Sequence, residues 1–269
     1  MVAAGRDRVR EAKARVGEAA LARLAGSHPK AKSLGIHVSG FDVIAEIKRR
    51  SPSRGVFDRG PSGGSADRGA VYARAGALGV SVVTEPTAFE GSLELLAATS
   101  ALCGVPTMRK DFLVDPYQLL EARVHGAAGV LLIVRALPGG LLREMIAAAG
   151  ALGLFVLIEA FDAADLDRGV EALDAADGVA LLGVNARDLV TLALDPMRHA
   201  ALARRVPPEI PLVAESGIGS ADDAAHVARL GYRAALVGEA LMRLDDPAPL
   251  LAGLLAAGRE AAAAREVTR

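Results

Sequence analysis

Val43-Ile-Ala-Glu-Ile-Lys48 opens a series of short apolar runs that recurs along the chain and decides its fold. Its β-branched residues favour a pleated strand, and its near-continuous apolar character suits a strand covered on both faces. Seven similar runs follow, at residues Val80–Thr84, Pro106–Lys110, Gly129–Ile133, Leu154–Glu159, Ala180–Asn185, Pro211–Glu215 and Ala234–Gly238. They begin roughly 23 to 37 residues apart, the pitch of a strand–helix unit. Alanine-rich helical patterns lie between them, as at Pro116–His125, where Leu119, Leu120 and Val124 supply an apolar face. Ser220-Ala-Asp-Asp223 reads as a helix N-cap. Gly76, Gly126, Gly153 and Gly231 sit where helices must end in a left-handed residue.

Eight such units predict an α/β protein, a single (β/α)8 barrel over residues 43–269 preceded by an N-terminal helical extension over 1–42. An open doubly wound sheet uses the same parts. The evenness of the units and the lack of a GxGxxG turn after the first strand favour closure. The extension is expected to cap the barrel's lower end or cover its mouth. Gly60-Pro-Ser-Gly-Gly-Ser65 is expected to form a mobile loop without regular structure.

The chain has 269 residues, and a barrel of this kind needs about 250. A formal net charge of −1 argues against a nucleic-acid or anionic-membrane partner, since both demand a basic excess. No apolar run approaches ~18 residues without a charge, so no bilayer span is expected. The N-terminus, rich in arginine and alanine, lacks the apolar core of a signal peptide and reads as a polar helix. A single cysteine, Cys103, excludes an internal disulfide and any multi-thiolate metal site, and fits a reducing cytoplasm. A monomer or weak homodimer is expected.

Charges at strand ends are the informative anomaly. In the first run Ile44, Glu46 and Lys48 share one face and Ala45 and Ile47 the other. Turned inward, each ion loses hydration at a cost on the order of several kcal/mol unless paired. Met108 pairs in the same way with Lys110, and Leu157 with Glu159, while the sixth run ends in Asn185 and the seventh in Glu215 and Ser216. A salt bridge with no further role explains any one of these. Five strands finishing alike at one rim points to chemistry, which in this fold sits at the C-terminal ends of the strands.

His28, His37, His125, His199 and His226 all fall in helices or connections, which disfavours a histidine triad or a His-rich metal site. Lysine and glutamate are left to do acid–base work. A lysine beside another cation has its pKa lowered and a buried glutamate has its raised, so Lys48 with Lys110 and Glu46 with Glu159 are expected to tune each other. The turns Ser216-Gly-Ile-Gly219 and Gly238-Glu-Ala240 follow the last two strands, the usual phosphate cradle of such barrels. They also read as ordinary tight turns. The residues by themselves reach a phosphate-carrying substrate and lysine–glutamate chemistry, and stop there.

Several longer stretches resemble one family. Ile44-Ala-Glu-Ile-Lys-Arg-Arg-Ser-Pro-Ser-Arg-Gly55, Ser81-Val-Val-Thr-Glu85 with Phe89-Glu-Gly-Ser92, and Arg109-Lys-Asp-Phe112 with Asp115-Pro-Tyr-Gln118 look like motifs of the indole-3-glycerol-phosphate synthases. So do Gly183-Val-Asn-Ala-Arg-Asp-Leu189, Ala214-Glu-Ser-Gly-Ile218 and Gly238-Glu-Ala-Leu-Met242. The resemblance spans about residues 43–245. It implies ring closure, decarboxylation and dehydration of 1-(2-carboxyphenylamino)-1-deoxyribulose 5-phosphate, with no metal or organic cofactor.

Carried over motif by motif, Lys110 would be the general acid and Glu159 the base of the dehydration. Lys48 would neutralise the departing carboxylate, while Glu46 and Asn185 orient these groups. Ser51 and Arg187 would hold anionic parts of the substrate. Ser216, Gly217, Gly238 and Glu239 would line the phosphate end, Glu215 would contact substrate, and Phe89 and Phe112 would wall the anthranilate ring. Two positions depart from the family pattern: Ala186 stands where a second asparagine is usual, and Phe161 where a histidine is.

Three other readings carry distinct expectations. A phosphoribosylanthranilate isomerase would need a Cys/Asp or Asp/Asp pair on strands one and six, where Glu46, Lys48 and Asn185 stand. A non-catalytic phosphate-ligand barrel should have lost one of the costly ions. A paralogue in a secondary-metabolite pathway would keep the chemistry.

Overall fold

The apolar runs become strands and the alanine-rich stretches helices in a computed structural model that describes residues 1–36, 40–52, 55–57 and 62–267. Along the chain come α1 (Val2–Arg15), α2 (Glu18–Ser27), β1 (Asp42–Ile47), β2 (Arg50–Ser51), β3 (Gly55–Val56), α3 (Ser62–Arg74), β4 (Gly79–Val83), α4 (Pro86–Phe89) and α5 (Leu93–Leu102). Then follow β5 (Thr107–Lys110), α6 (Tyr117–Val124), β6 (Gly129–Ile133), α7 (Gly139–Ala151), β7 (Phe155–Ala160), α8 (Ala163–Ala172) and β8 (Ala180–Asn185). The chain ends with α9 (Arg198–Ala203), β9 (Leu212–Glu215), α10 (Ala221–Leu230), β10 (Ala234–Val237), α11 (Glu239–Met242) and α12 (Ala248–Val267).

Eight of the strands close a parallel barrel in the order β1, β10, β9, β8, β7, β6, β5, β4, with β1 bonded to both β10 and β4. The remaining two, β2 and β3, form a small antiparallel hairpin above β1. The doubly wound alternative is thereby excluded.

Alternation along each strand sorts the core into two layers. Val43, Ala45 and Ile47 point outward and pack with Val80, Val82, Val130 and Ile158 against the helices. Ile44, Met108, Leu131, Leu157, Leu181 and Val213 point inward and fill the barrel. Each of these fully buried aliphatic side chains is worth about 1.5–3 kcal/mol relative to exposure. The four helix-ending glycines all take positive φ, between 69° at Gly153 and 107° at Gly231. Ser220 caps α10 reciprocally with Asp223.

The extension touches both ends of the barrel. Leu34, with Ala31 and Ile36 beside it, packs into the inward cluster near Gly79, the first residue of β4, and so closes the barrel's lower end. At the other end, α1 reaches the rim: Arg8 bonds Asp111 at 2.9 Å and Glu85 at 3.4 Å.

One expectation fails. Residues 62–65 are not irregular; they form the first turn of α3. Ser65 and Ala66 are buried, and Tyr72 further along is fully so. Burial of that helix against the barrel outweighs the roughly 1 kcal/mol that each glycine costs. Gly60 and Pro61 of the same stretch lie outside the described residues, as does His37. The other four histidines lie in helices or at their ends.

Candidate active site

A cavity of about 550 Å³ opens at the C-terminal ends of the barrel strands. Lys48, Glu46, Ser51, Phe89, Lys110, Phe112, Glu159, Asn185, Arg187, Glu215, Ser216, Gly217, Gly238 and Glu239 all line it. Every site residue expected from the sequence therefore converges on one space.

The inward face of each strand sets these positions. Met108 lies in the inward cluster, and Lys110, two residues on, follows it into the cavity; Leu157 and Glu159 repeat the pattern on β7. Lys110 Nζ donates to Glu159 Oε1 at 3.2 Å and to Glu215 Oε2 at 3.1 Å. Asn185 Nδ2 also donates to Glu159 Oε1, at 2.7 Å. Its Oδ1 accepts from the Ser216 hydroxyl at 2.8 Å and the Arg187 N–H at 2.9 Å. On β1, Glu46 Oε1 lies 2.8 Å from Lys48 Nζ. Three carboxylates and two ammonium groups thus share the barrel mouth. Ser216 and Gly217 both take positive φ, 65° and 79°; Ser216 holds this strained turn just where β9 delivers Glu215 to the cavity.

The electrostatics overturn part of the expected tuning. Burial pushes the Lys110 ammonium towards a lower pKa, but Glu159, Glu215 and Glu46 outweigh it and raise the pKa well above the ordinary lysine value. Lys48 does not depress it, because carboxylates outnumber cations around it. Burial likewise pushes Glu46 up, yet Lys48 and then Lys110 hold its carboxyl below the usual range. The raised carboxyl is Glu215. Burial lifts its pKa to about 8, with Lys110 pulling against the rise and neighbouring Glu159 adding to it.

Residues beyond those singled out by sequence complete the rim. Asp111 accepts from Arg8, from the Phe112 N–H at 2.8 Å and from Thr84 at 3.0 Å, and Arg109 lies 3.2 Å away. Glu85 accepts from the N–H groups of Thr87, Ala88 and Phe89, capping the short α4 that presents Phe89. Arg243 also lines the cavity. Position supplies the signal that was available: Asp111 follows Lys110 directly, and Arg243 lies one helical turn after Glu239. The two family departures fill packed positions, Ala186 buried beside β9 and Phe161 buried under the Arg135 guanidinium, 4.4 Å from its ring centroid. Among the described residues, no three His, Cys, Asp or Glu side chains are grouped to hold a metal ion, and no helix is long and apolar enough to cross a membrane.

A closed eight-stranded barrel with lysines and glutamates facing one mouth cavity defines a (β/α)8 enzyme built for acid–base chemistry. The family model for indole-3-glycerol phosphate synthase matches residues 1–253. The indole-3-glycerol phosphate synthase of Arthrobacter sp. (strain FB24) is 45% identical over 223 residues, covering 83% of this chain and 79% of that one. That of Nocardioides sp. (strain ATCC BAA-499 / JS614) is 46% identical over 209 residues, 78% of each. A solved thiamine phosphate pyrophosphorylase from Pyrococcus furiosus superposes with a TM-score of 0.56 over 83% of this chain and 97% of that one; at 19% identity this is likeness of fold alone. The chain belongs to the indole-3-glycerol phosphate synthase family. It is accordingly a decarboxylating lyase of tryptophan biosynthesis, acting on a phosphorylated small molecule.

Proposed function

We propose that Lys110 is the general acid and Glu159 the general base by which this chain converts 1-(2-carboxyphenylamino)-1-deoxyribulose 5-phosphate to indole-3-glycerol phosphate. The observation that carries the reading is the single ammonium of Lys110 bonded at once to Glu159 and Glu215 inside the barrel mouth. As the carboxylate-bearing ring carbon attacks the ketone, the new C–C bond forms and the ketone oxygen becomes an alkoxide. Lys110 protonates it. An ammonium with a raised pKa is charged at neutral pH, and an alkoxide is basic enough to take its proton.

Carbon dioxide then leaves, its bonding electrons restoring the aromatic ring, with Lys48 neutralising the carboxylate until departure. Lys48 then gives a proton to the hydroxyl, which leaves as water, while Glu159 removes the compensating proton from the ring being formed. Asn185 holds the Glu159 carboxylate, and Glu46 holds Lys48. Glu215 orients Lys110, and burial raises its carboxyl pKa, which eases the crowding of negative charge. Phe89 and Phe112, with Val83, Leu131 and Ile133, offer the anilino ring an apolar wall that favours the folded substrate. Ser51 and Arg187 bind anionic groups, and Ser216, Gly217, Gly238 and the Glu239 N–H receive the phosphate. The barrel occupies 43–269 and acts in the cytoplasm as a monomer or weak homodimer, without nucleic acid or membrane. The near-neutral charge supports the last point.

Incubation with the carboxyphenylamino-deoxyribulose phosphate, followed by indole fluorescence, tests the reaction. Glu159→Gln tests the division of roles: a ring-closed, decarboxylated intermediate should accumulate in quenched-flow samples. If the variant shows a slowed first step and no such species, Glu159 is not the dehydration base.

A further inference from the structure

Three strands round the ring from Lys110, two guanidinium groups converge on one carboxylate. Glu239, the first residue of α11, has Oε2 3.6 Å from Arg187 Nη2 and Oε1 3.3 Å from Arg243 Nη2. All three side chains line the cavity. Arg187 is fixed from behind, its Nη1 donating to the Leu192 carbonyl at 3.0 Å. Arg243 is about half exposed, and its guanidinium lies 5.9 Å from the Phe57 ring centroid. Lys48 Nζ approaches that same ring, also at 5.9 Å. Lys48 is already matched by Glu46, whereas the single carboxylate of Glu239 faces two guanidinium groups.

A carboxylate facing an incoming phosphate is repelled by it. Here, however, the carboxylate stands on the cations that a phosphate would seek. With Arg243 half exposed, its pair with Glu239 is the weaker hold of the two. A phosphate offers a planar guanidinium two parallel hydrogen bonds and more charge than a carboxylate does. We propose that Arg243 is a phosphate-binding residue, held in place by Glu239 until the substrate's phosphate takes over its guanidinium and the Glu239 side chain turns to solvent. This rests on the reading above that the phosphate lodges beside Gly217 and Gly238.

Steady-state kinetics with the carboxyphenylamino-deoxyribulose phosphate, with inorganic phosphate as competitive probe, test the assignment in Arg243→Gln and Glu239→Gln. Arg243 is at the surface, so its variant is expected to fold. Arg243→Gln should raise both KM and the phosphate inhibition constant about tenfold, with the loss carried far more by KM than by kcat. Arg243→Lys, which keeps the charge and loses the fork, should fall between. Glu239→Gln should lower the phosphate inhibition constant several-fold, because the arginines no longer have a competing anion. Unchanged KM and inhibition in Arg243→Gln overturn the proposal. Weaker phosphate inhibition in Glu239→Gln overturns the exchange, since the carboxylate would then only be propping the arginines. If inorganic phosphate fails to compete with substrate in the unaltered enzyme, the location of the phosphate end is wrong; if it competes and only Arg243→Gln is silent, that location stands and Arg243 alone falls.

Discussion

Lys110 Nζ stands 3.2 Å from Glu159 Oε1 although 49 positions separate them in the chain. They come from β5 and β7, which do not touch each other; β6 runs between them. Their meeting follows from register, since both side chains leave inward-facing positions at the same end of parallel strands. An acid and a base held in direct contact can act on neighbouring atoms of one substrate without a large rearrangement.

The protonation of Glu215 should show in stability. Its folded-state pKa is about 8 against an ordinary 4.5, so the folded protein keeps a proton that the unfolded chain releases. That contribution to stability is fully present below the unfolded value and is lost as pH rises through about 8. Glu46, with a depressed pKa, loses its contribution only as pH falls below the ordinary carboxylate range; Lys110, with a raised one, only above the ordinary lysine range. Buried His199, whose pKa is lowered, works in the opposite sense to Glu215, losing stability on acidification. Glu215→Gln removes the Glu215 dependence and leaves those of Glu46 and His199; Lys110 loses one of the carboxylates that raise its pKa, but it titrates above the pH range compared. Urea unfolding at about pH 5 and about pH 9 should show the difference between the two proteins moving in favour of the variant by on the order of 1–3 kcal/mol. A pH-independent difference contradicts an elevated Glu215.

Gly238 tests whether Glu46 needs its seat. A Cβ at this position would fall inside contact distance of the Glu46 carboxylate and its Cβ. Gly238→Ala should therefore push Glu46 off Lys48, lower kcat/KM by about tenfold or more and cost about 1–3 kcal/mol in overpacking. Circular dichroism melting and steady-state kinetics together check this; full activity would show that the position of Glu46 is not critical.

Arg8 ties the extension to the catalytic rim. Its side chain is a quarter exposed while those of Asp111 and Glu85 are almost wholly buried, so removing it strips both carboxylates of a shared cation. Asp111 keeps Arg109 and Thr84. Arg8→Ala should consequently lose only about 1–2 kcal/mol of stability. It should also raise KM, because Phe112 and Phe89 hang from those two carboxylates. An unchanged melting curve and KM would mean that α1 rests on the rim without supporting it.

Much of this was legible in the sequence because period-two alternation at strand ends carries the architecture and the site together. Glu46 and Lys48 beside Ile44, or Lys110 beside Met108, reveal their face without any coordinates. What escaped were properties set by groups distant in the chain. The direction of the Lys110 shift depends on Glu159 and Glu215, 49 and 105 positions away, and the sequence pairs the lysine with Lys48 instead. The start of α3 was hidden because glycine and serine propensity speaks against a helix that tertiary burial imposes. The Arg8–Asp111 bond joins the first helix to the residue that follows β5 and has no local signature at all.

The most direct test of the central claim is the turnover number of Lys110→Ala with the carboxyphenylamino-deoxyribulose phosphate, read by indole fluorescence. Loss of the general acid predicts a fall in kcat of at least ~10²-fold, with the product still formed readily by the unaltered enzyme. Turnover of the variant within a few-fold of the unaltered enzyme would contradict the assignment of Lys110 and the mechanism built on it.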